Sequence, residues 1–279
     1  MLAISSFFKK KELVAVVIPI YKPKPDPNEV LSLQTCLEIL TKYQIIFVAP
    51  ENLNVHWYLE FCSTNGVQVR LERFQDNYFA NISGYNKLLL SAAFYKRFLN
   101  YKYILIYQLD ALVFRDELTD WCNSGIDYIG APWPADDWPY MDTVYAWLPK
   151  KITWLYAKKI KKINLVGNGG LSLRHNLKFY LICLIFRKSI QQWLNKHGQE
   201  DIFWSFFAGV FYPFYKVGKE ADAIRFAFEK SPHKLYRLNN NQLPFGCHAW
   251  EKHDPEFWQE QLKQSIDLHS PLLRQKKDD

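Results

Sequence analysis

The sequence predicts an α/β protein with a mostly parallel central sheet flanked by helices, and three observations carry that expectation. Apolar runs of strand length recur along the first half: LVAVVIPI (13–20), IIFVAP (45–50) and YILIYQLDALVF (103–114). Continuous apolar runs of this kind suit strands buried on both faces. Helical patterns separate the runs, and strand alternating with helix is the order that builds a parallel sheet with helical crossovers. Hydrophobic residues make up 49% of the 279 residues and aromatics 17%, enough for a substantial core and too much for disorder.

Taken in order, the first strand ends where KPKPDPNE breaks structure with three prolines, and an amphipathic helix is expected from about Glu29 to Lys42. The second strand is stopped by Pro50. VQVRLERF (67–74) alternates as a strand with one wet face. SGYNKLLLSAAFYKRFL reads as one helix capped by Ser83 that feeds the third apolar run. DYIGAPW (127–133) is a short strand entering an aromatic, Pro-rich loop, and a lysine-rich segment follows. INLVGNGGLSLR (163–174) reads as a strand breaking at Gly167, Gly169 and Gly170, and HGQEDIFWSFF as a loop entering a helix. FAFE and QLPFGCHAW supply late strand or loop pieces. Without an internal repeat or a linker-like shift in composition, residues 1–279 read as one domain, with a Rossmann-like core over about 13–252 and a tail over 253–279.

Charge and cysteines narrow the class. Thirty-five Lys+Arg against 28 Asp+Glu give a net charge of +7, which suits nucleotide phosphates, anionic lipid or nucleic acid. No RRM, KH or helix-turn-helix signature is present, so nucleic acid is not the expected partner. Five scattered cysteines with no CxxC argue against a disulfide framework or zinc site and fit a reducing compartment. The opening MLAISSFFKKK does not read as a secretory signal, and FYLICLIF (179–186) is too short to span a bilayer. The expectation is a cytoplasmic protein, free or peripheral on the inner face of a membrane. LPKKITWLYAKKIKKI has six lysines between Lys150 and Lys162, and as a helix groups Ile152, Leu155, Tyr156, Ile160 and Ile163 on one face. It reads either as an anionic-membrane contact through 150–163 or as a solvated helix on its own domain.

Four stretches could carry chemistry. Asp110, preceded by Gln108, is the one ionisable residue in an apolar run; it is either a paired core acid or a group at a strand's ligand-binding end, where one carboxylate can hold a hard cation. GNGG brings backbone N–H groups close to a ligand or makes a tight hairpin. Glu200 and Asp201 open a helical run, where acids complement the helix dipole, or one of them is a general base. His248 lies among aromatics, as a bonded core residue or a ligand.

Their order along the chain resembles the GT-A glycosyltransferases, through QLDA, GNGGLSLR, QED and FGCHAW, with VVIPIYK as the first nucleotide-binding strand. The same words are similar to those of a little-characterised bacterial and viral glycosyltransferase-like family. The resemblance implies a metal-dependent enzyme that moves a sugar from a nucleotide-sugar donor, UDP-linked, to a hydroxyl of a glycan or lipid-linked acceptor, with inversion. It implies Asp110 and His248 as ligands of Mn2+ or Mg2+, and Tyr21, Gln108, Asp110, Gly169 and Gly170 against the donor. Asp201 would be the base and Glu200 its catalytic neighbour, with Trp133, Asp136 and Asp137 facing the acceptor. Gln108 stands where the family pattern has Asp, which puts metal dependence in question. The alternative is a non-catalytic nucleotide-sugar or carbohydrate binder of the same fold.

Overall fold

The computed structural model describes residues 11–133 and 166–269, with side chains of the last helix given through Lys263. The chain opens with β1 (Glu12–Pro19), crosses through α1 (Pro27–Ile39) into β2 (Gln44–Pro50), and repeats the step through α2 (His56–Thr64) into β3 (Val69–Phe74). Two short helices, α3 (Ile82–Leu89) and α4 (Ala92–Lys96), lead to β4 (Tyr101–Tyr107). Next come β5 (Ala111–Val113), α5 (Leu118–Asn123) and β6 (Tyr128–Ile129). Beyond residue 165 the chain forms β7 (Leu171–His175), α6 (Asn176–Ile185) and α7 (Arg187–Asn195). The helix α8 runs from Glu200–Ile202 through a π-helical stretch, Phe203–Ala208, to Gly209–Phe211. The last elements are α9 (Glu220–Phe226), β8 (Ala227–Phe228), α10 (Pro232–Leu238), β9 (Gly246–His248) and α11 (Pro255–His269).

The main sheet has the order β3-β2-β1-β4-β7-β6. β1 pairs in parallel with β2 on one side and β4 on the other. The chain therefore leaves β1 in one direction and returns on the opposite side, which opens a crevice beyond the carboxyl ends of β1 and β4. Alternate residues of these strands feed two cores, as the period of two requires. Val14, Val16 and Ile18 pack with Leu33 and Leu37 of α1. Ala15 and Val17 face the side that holds Phe94, Phe179 and Trp204.

The sheet is mostly parallel, as expected, with β7 pairing antiparallel to both β4 and β6. Other expectations are corrected. The third apolar run is two strands: β4 ends at Tyr107, Gln108–Asp110 form a turn closed by Ala111 N–H donating to the Gln108 carbonyl at 2.9 Å, and β5 joins a second sheet ordered β5-β9-β8. The helix expected from Ser83 is capped by Asn81, whose side chain accepts from Gly84 N–H. It divides at Ser91, because the Ser91 side chain caps α4 from extended backbone. The glycine turn leads into β7, whose ladder with β4 begins at Leu171; before the turn Val166 bridges Pro132, and residues 163–165 lie outside the described residues. Helix α2 is an element the sequence pattern does not announce. Helix α1 starts earlier than expected, because Asp26 and Glu29 form a capping box around Pro27.

Candidate functional site

A cleft of about 590 Å³ lies at the crevice, lined by Tyr21 and Lys22 after β1, Gln108 and Asp110 after β4, Tyr85 of α3 and Lys252. Its floor depends on the turn after β4. Gln108 N–H donates to the Gly170 carbonyl at 2.8 Å, and the Asp110 carbonyl accepts from Ala249 N–H at 2.9 Å. In the second sheet Ala111 pairs with His248, which sets the imidazole beside the Asp110 side chain.

The result is a charged chain. His248 Nε2 lies 3.1 Å from Asp110 Oδ1, and His248 Nδ1 lies 3.1 Å from Glu229 Oε1. Lys252 Nζ lies 3.2 Å from Asp110 Oδ2. The Nε2 contact has ion-pair distance without hydrogen-bond alignment, so Nε2 is a buried nitrogen with no aligned partner. Burial opposes ionisation of Asp110, yet His248 and Lys252 hold its carboxyl well below the usual range. Burial likewise opposes charge on His248, but Asp110 and Glu229 overcome it and raise the imidazole to about 9.

The glycine turn lets three site side chains close in. A Cβ at Gly170 would fall 1.9 Å from His248 Nε2, and one at Gly167 would fall 2.5 Å from the Trp133 ring. One at Gly169 would come 3.0 Å from Glu200 Oε1. The buried Asn168 side chain shapes the turn by accepting from Gly170 N–H at 2.7 Å and Leu171 N–H at 3.2 Å.

Glu200 is committed to Arg174. Both are buried, and the guanidinium donates to the carboxylate through two nitrogens at 2.9 and 3.1 Å while also donating to Tyr95 Oη and Ser172 Oγ. Burial raises the proton affinity of Glu200 and Arg174 opposes it. An arginine does not surrender its proton, so the pair is ionic. Asn86 Oδ1 accepts from Glu200 N–H at 3.3 Å, which ties the start of α8 to α3. Asp201 differs: among the described residues its carboxylate accepts from the neighbouring Ile202 N–H, at 2.8 Å, and has no cation in contact. Burial, then the charges of Glu200 and Glu229, push its carboxyl up to about 7.

The structure therefore brings Tyr21, Gln108 and Asp110 to one cleft, His248 to Asp110, Gly170 to His248 and Gln108, and Gly169 to Glu200, whereas Asp201 does not line that cleft among the described residues. Trp133 packs on Gly167, while Asp136, Asp137 and the segment 150–163 lie outside the described residues. Sequence reasoning missed Arg174, Glu229, Lys252 and Asn168. Arg174 carried the same signal as Asp110, a charge inside the apolar strand LSLRH. Glu229 and Lys252 gave none, because each reaches the site from a loop whose path the local pattern does not set.

Among the described residues no group of three or more His, Cys, Asp or Glu side chains could hold a metal ion. Asp110 and, once a cation displaces the proton that Asp110 and Glu229 hold on the imidazole, His248 Nε2 could supply two ligands to a cation that takes the rest from a diphosphate. Glu229 on Nδ1 is the orienting carboxylate such a histidine ligand requires.

This architecture is that of the GT-A glycosyltransferase fold. The galactosyltransferase LgtC, solved with donor and acceptor sugar analogs, superposes with a TM-score of 0.60 at 13% identity, covering 91% of this chain and 95% of that one. The glycosyltransferase GlyE of Streptococcus pneumoniae TIGR4 superposes with a TM-score of 0.51 at 13% identity, over 89% of this chain and 60% of GlyE. The bifunctional glycosyltransferase WbbM gives 0.50 at 14% identity, over 88% of this chain and 47% of WbbM. The chain thus spans nearly all of LgtC but only part of the other two. No curated protein matches it by sequence. The profile of the family described as "Protein of unknown function (DUF5672)" matches residues 68–248, and the chain belongs to that family.

Proposed function

We propose that the protein transfers a sugar from a nucleotide-sugar donor, UDP-linked, to an acceptor hydroxyl of a glycan or lipid-linked acceptor, with inversion. The supporting observation is convergence. Tyr21 and Gln108–Asp110 line one cleft at the switch point of a GT-A fold, His248 sits beside Asp110, and the glycine turn packs Gly170 on His248 and Gly169 on Glu200, so groups far apart in sequence converge. The nucleotide lies in the cleft, with the exposed ring of Tyr21 against the base and Gln108 bonding the ribose. Asp110 and His248 would hold Mn2+ or Mg2+, which when bound neutralises the departing diphosphate. Lys252 adds a fixed positive charge beside the same phosphates.

Asp201 is the base. A carboxyl raised to about 7 is matched to proton transfer near neutrality, better than an ordinary carboxylate. Glu200 does not take the proton, because Arg174 occupies both of its oxygens; its role is to fix the first turn of α8. Trp133, Asp136 and Asp137 are proposed for the acceptor side.

The test is a thermal-shift panel of nucleoside diphosphates and nucleotide-sugars, each with and without manganese, followed by donor-hydrolysis assays. Ligands that bind only the folded state raise the melting temperature. A uridine diphosphate series that stabilises with manganese and turns over supports the reading. No shift with any nucleotide overturns it, and binding without turnover returns the non-catalytic binder.

A further inference from the structure

Helix α6 is apolar on both faces. Phe179, Ile182 and Cys183 point into the core, while Leu177, Tyr180, Leu181, Leu184 and Ile185 recur at helical spacing on the outward side. Leu184 is 49% exposed and Ile185 62%. Phe214, in the loop after α8, is 75% exposed, and its carbonyl accepts from Lys178 of α6 at 2.6 Å, which ties that loop to α6. A helix apolar all round belongs in a core or against lipid, and a contiguous exposed apolar patch marks an interaction surface.

The surrounding charge selects the partner. Arg187 and Lys188 follow the exposed end of α6, and Lys216 and Lys219 follow Phe214; all four are exposed and carry no acidic partner among the described residues. Asp127, the acid beside Lys178, is buried and already bonded to it at 2.7 Å. Across a two-fold interface these cations would meet their own copies, which works against a second copy. Exposed apolar side chains followed in the chain by exposed cations match an anionic lipid surface, where the cations meet headgroups and Leu184, Ile185 and Phe214 enter the boundary.

We propose that the outward face of α6 with Phe214 docks the protein on anionic membrane. This is independent of the transfer reading and separate from segment 150–163. The test is co-sedimentation of the full chain with vesicles of phosphatidylcholine alone or with about 30% phosphatidylserine. The parent is expected to pellet with the anionic vesicles and to be released by salt. Leu184→Gln/Ile185→Gln/Phe214→Gln and, separately, Arg187→Glu/Lys188→Glu should each cut binding at least about tenfold. Both sets lie on the surface, so thermal unfolding should stay close to the parent's, and the charge variant still tests the lipid contact if the apolar one misfolds. Equal recovery in both vesicle types overturns the proposal. So does binding lost only when the lysines of 150–162 are changed to glutamine. A dimer in sedimentation velocity that the Leu184→Gln/Ile185→Gln/Phe214→Gln variant makes monomeric overturns it too, in favour of a second copy.

Discussion

The region around Asp110 and the region around Asp201 treat a carboxylate in opposite ways. Asp110 follows a strand and is flanked by His248 and Lys252, so it stays an anion far below neutrality. Asp201 opens a helix, where the dipole alone would favour the anion by about 0.3–1 kcal/mol, less than one pKa unit. Instead its carboxyl rises from 3.8 to about 7, because burial and two neighbouring acids outweigh the dipole. Two aspartates of one chain thus differ in charge state near neutrality, a difference set by surroundings and not by residue type. Glu200, adjacent to Asp201, shows a third outcome: burial with an arginine makes a carboxylate structural.

The largest expected break in this contrast comes from Asp201→Asn. Transfer should fall about 10²–10⁴-fold with donor binding nearly unchanged. The parent's rate should climb as pH rises through about 7, and the variant should lack that limb. The sign of the stability effect follows from the raised value. Stability tied to protonated Asp201 is complete below about pH 4 and is lost as pH rises through about 7. The asparagine variant should therefore resist urea better than the parent at pH 8, with the advantage gone near pH 4. A normal transfer rate in this variant removes Asp201 as the base.

Next in size is Glu200→Gln, which strands a buried guanidinium and should cost about 3–5 kcal/mol in urea denaturation. Arg174→Met/Glu200→Met should recover most of that loss, since replacing both charges is often neutral. A single variant as stable as the parent would show that the clamp is not what holds α8 to β7.

Asp110→Asn should abolish the manganese-dependent part of the thermal shift with UDP, a part worth about 2.7 kcal/mol when the ligand is at 100 times its Kd. An unchanged shift would assign the phosphates to Lys252 and other cations. The smallest effect is expected from Glu229→Gln, which loosens the imidazole without removing it and should weaken manganese binding about 10–100-fold. Isothermal titration with the metal and UDP reads this directly, and full affinity would deny Glu229 an orienting role.

Legibility in the sequence followed the range of the interactions. β1, β2 and the first helix were readable because their burial pattern is local. The break inside YILIYQLDALVF was not, because nothing in the apolar pattern distinguishes one strand from two that join different sheets. Ser83 has the residue type of a cap, but Asn81 holds the position where the backbone is extended. The glycines were recognisable as a site of close approach. What approaches them, His248, Glu200 and Trp133, comes from other elements far along the chain and could not be read from the turn itself.

By itself the sequence determined which residue types are available and where the strands and helices alternate, because hydrophobic periodicity and proline breaks act over a few residues. It thereby placed an acid after the fourth strand, a glycine turn, an acidic pair and a late histidine in order. Only the tertiary structure decided which acid is which. Arg174, on the strand that follows the glycine turn, made Glu200 half of a buried ion pair. Glu229 and Glu200 left Asp201 among like charges. Lys252 closed on Asp110 from the loop beyond β9. A carboxylate's charge state depends on desolvation and on charges within a few ångströms, and those distances exist only once the chain has folded.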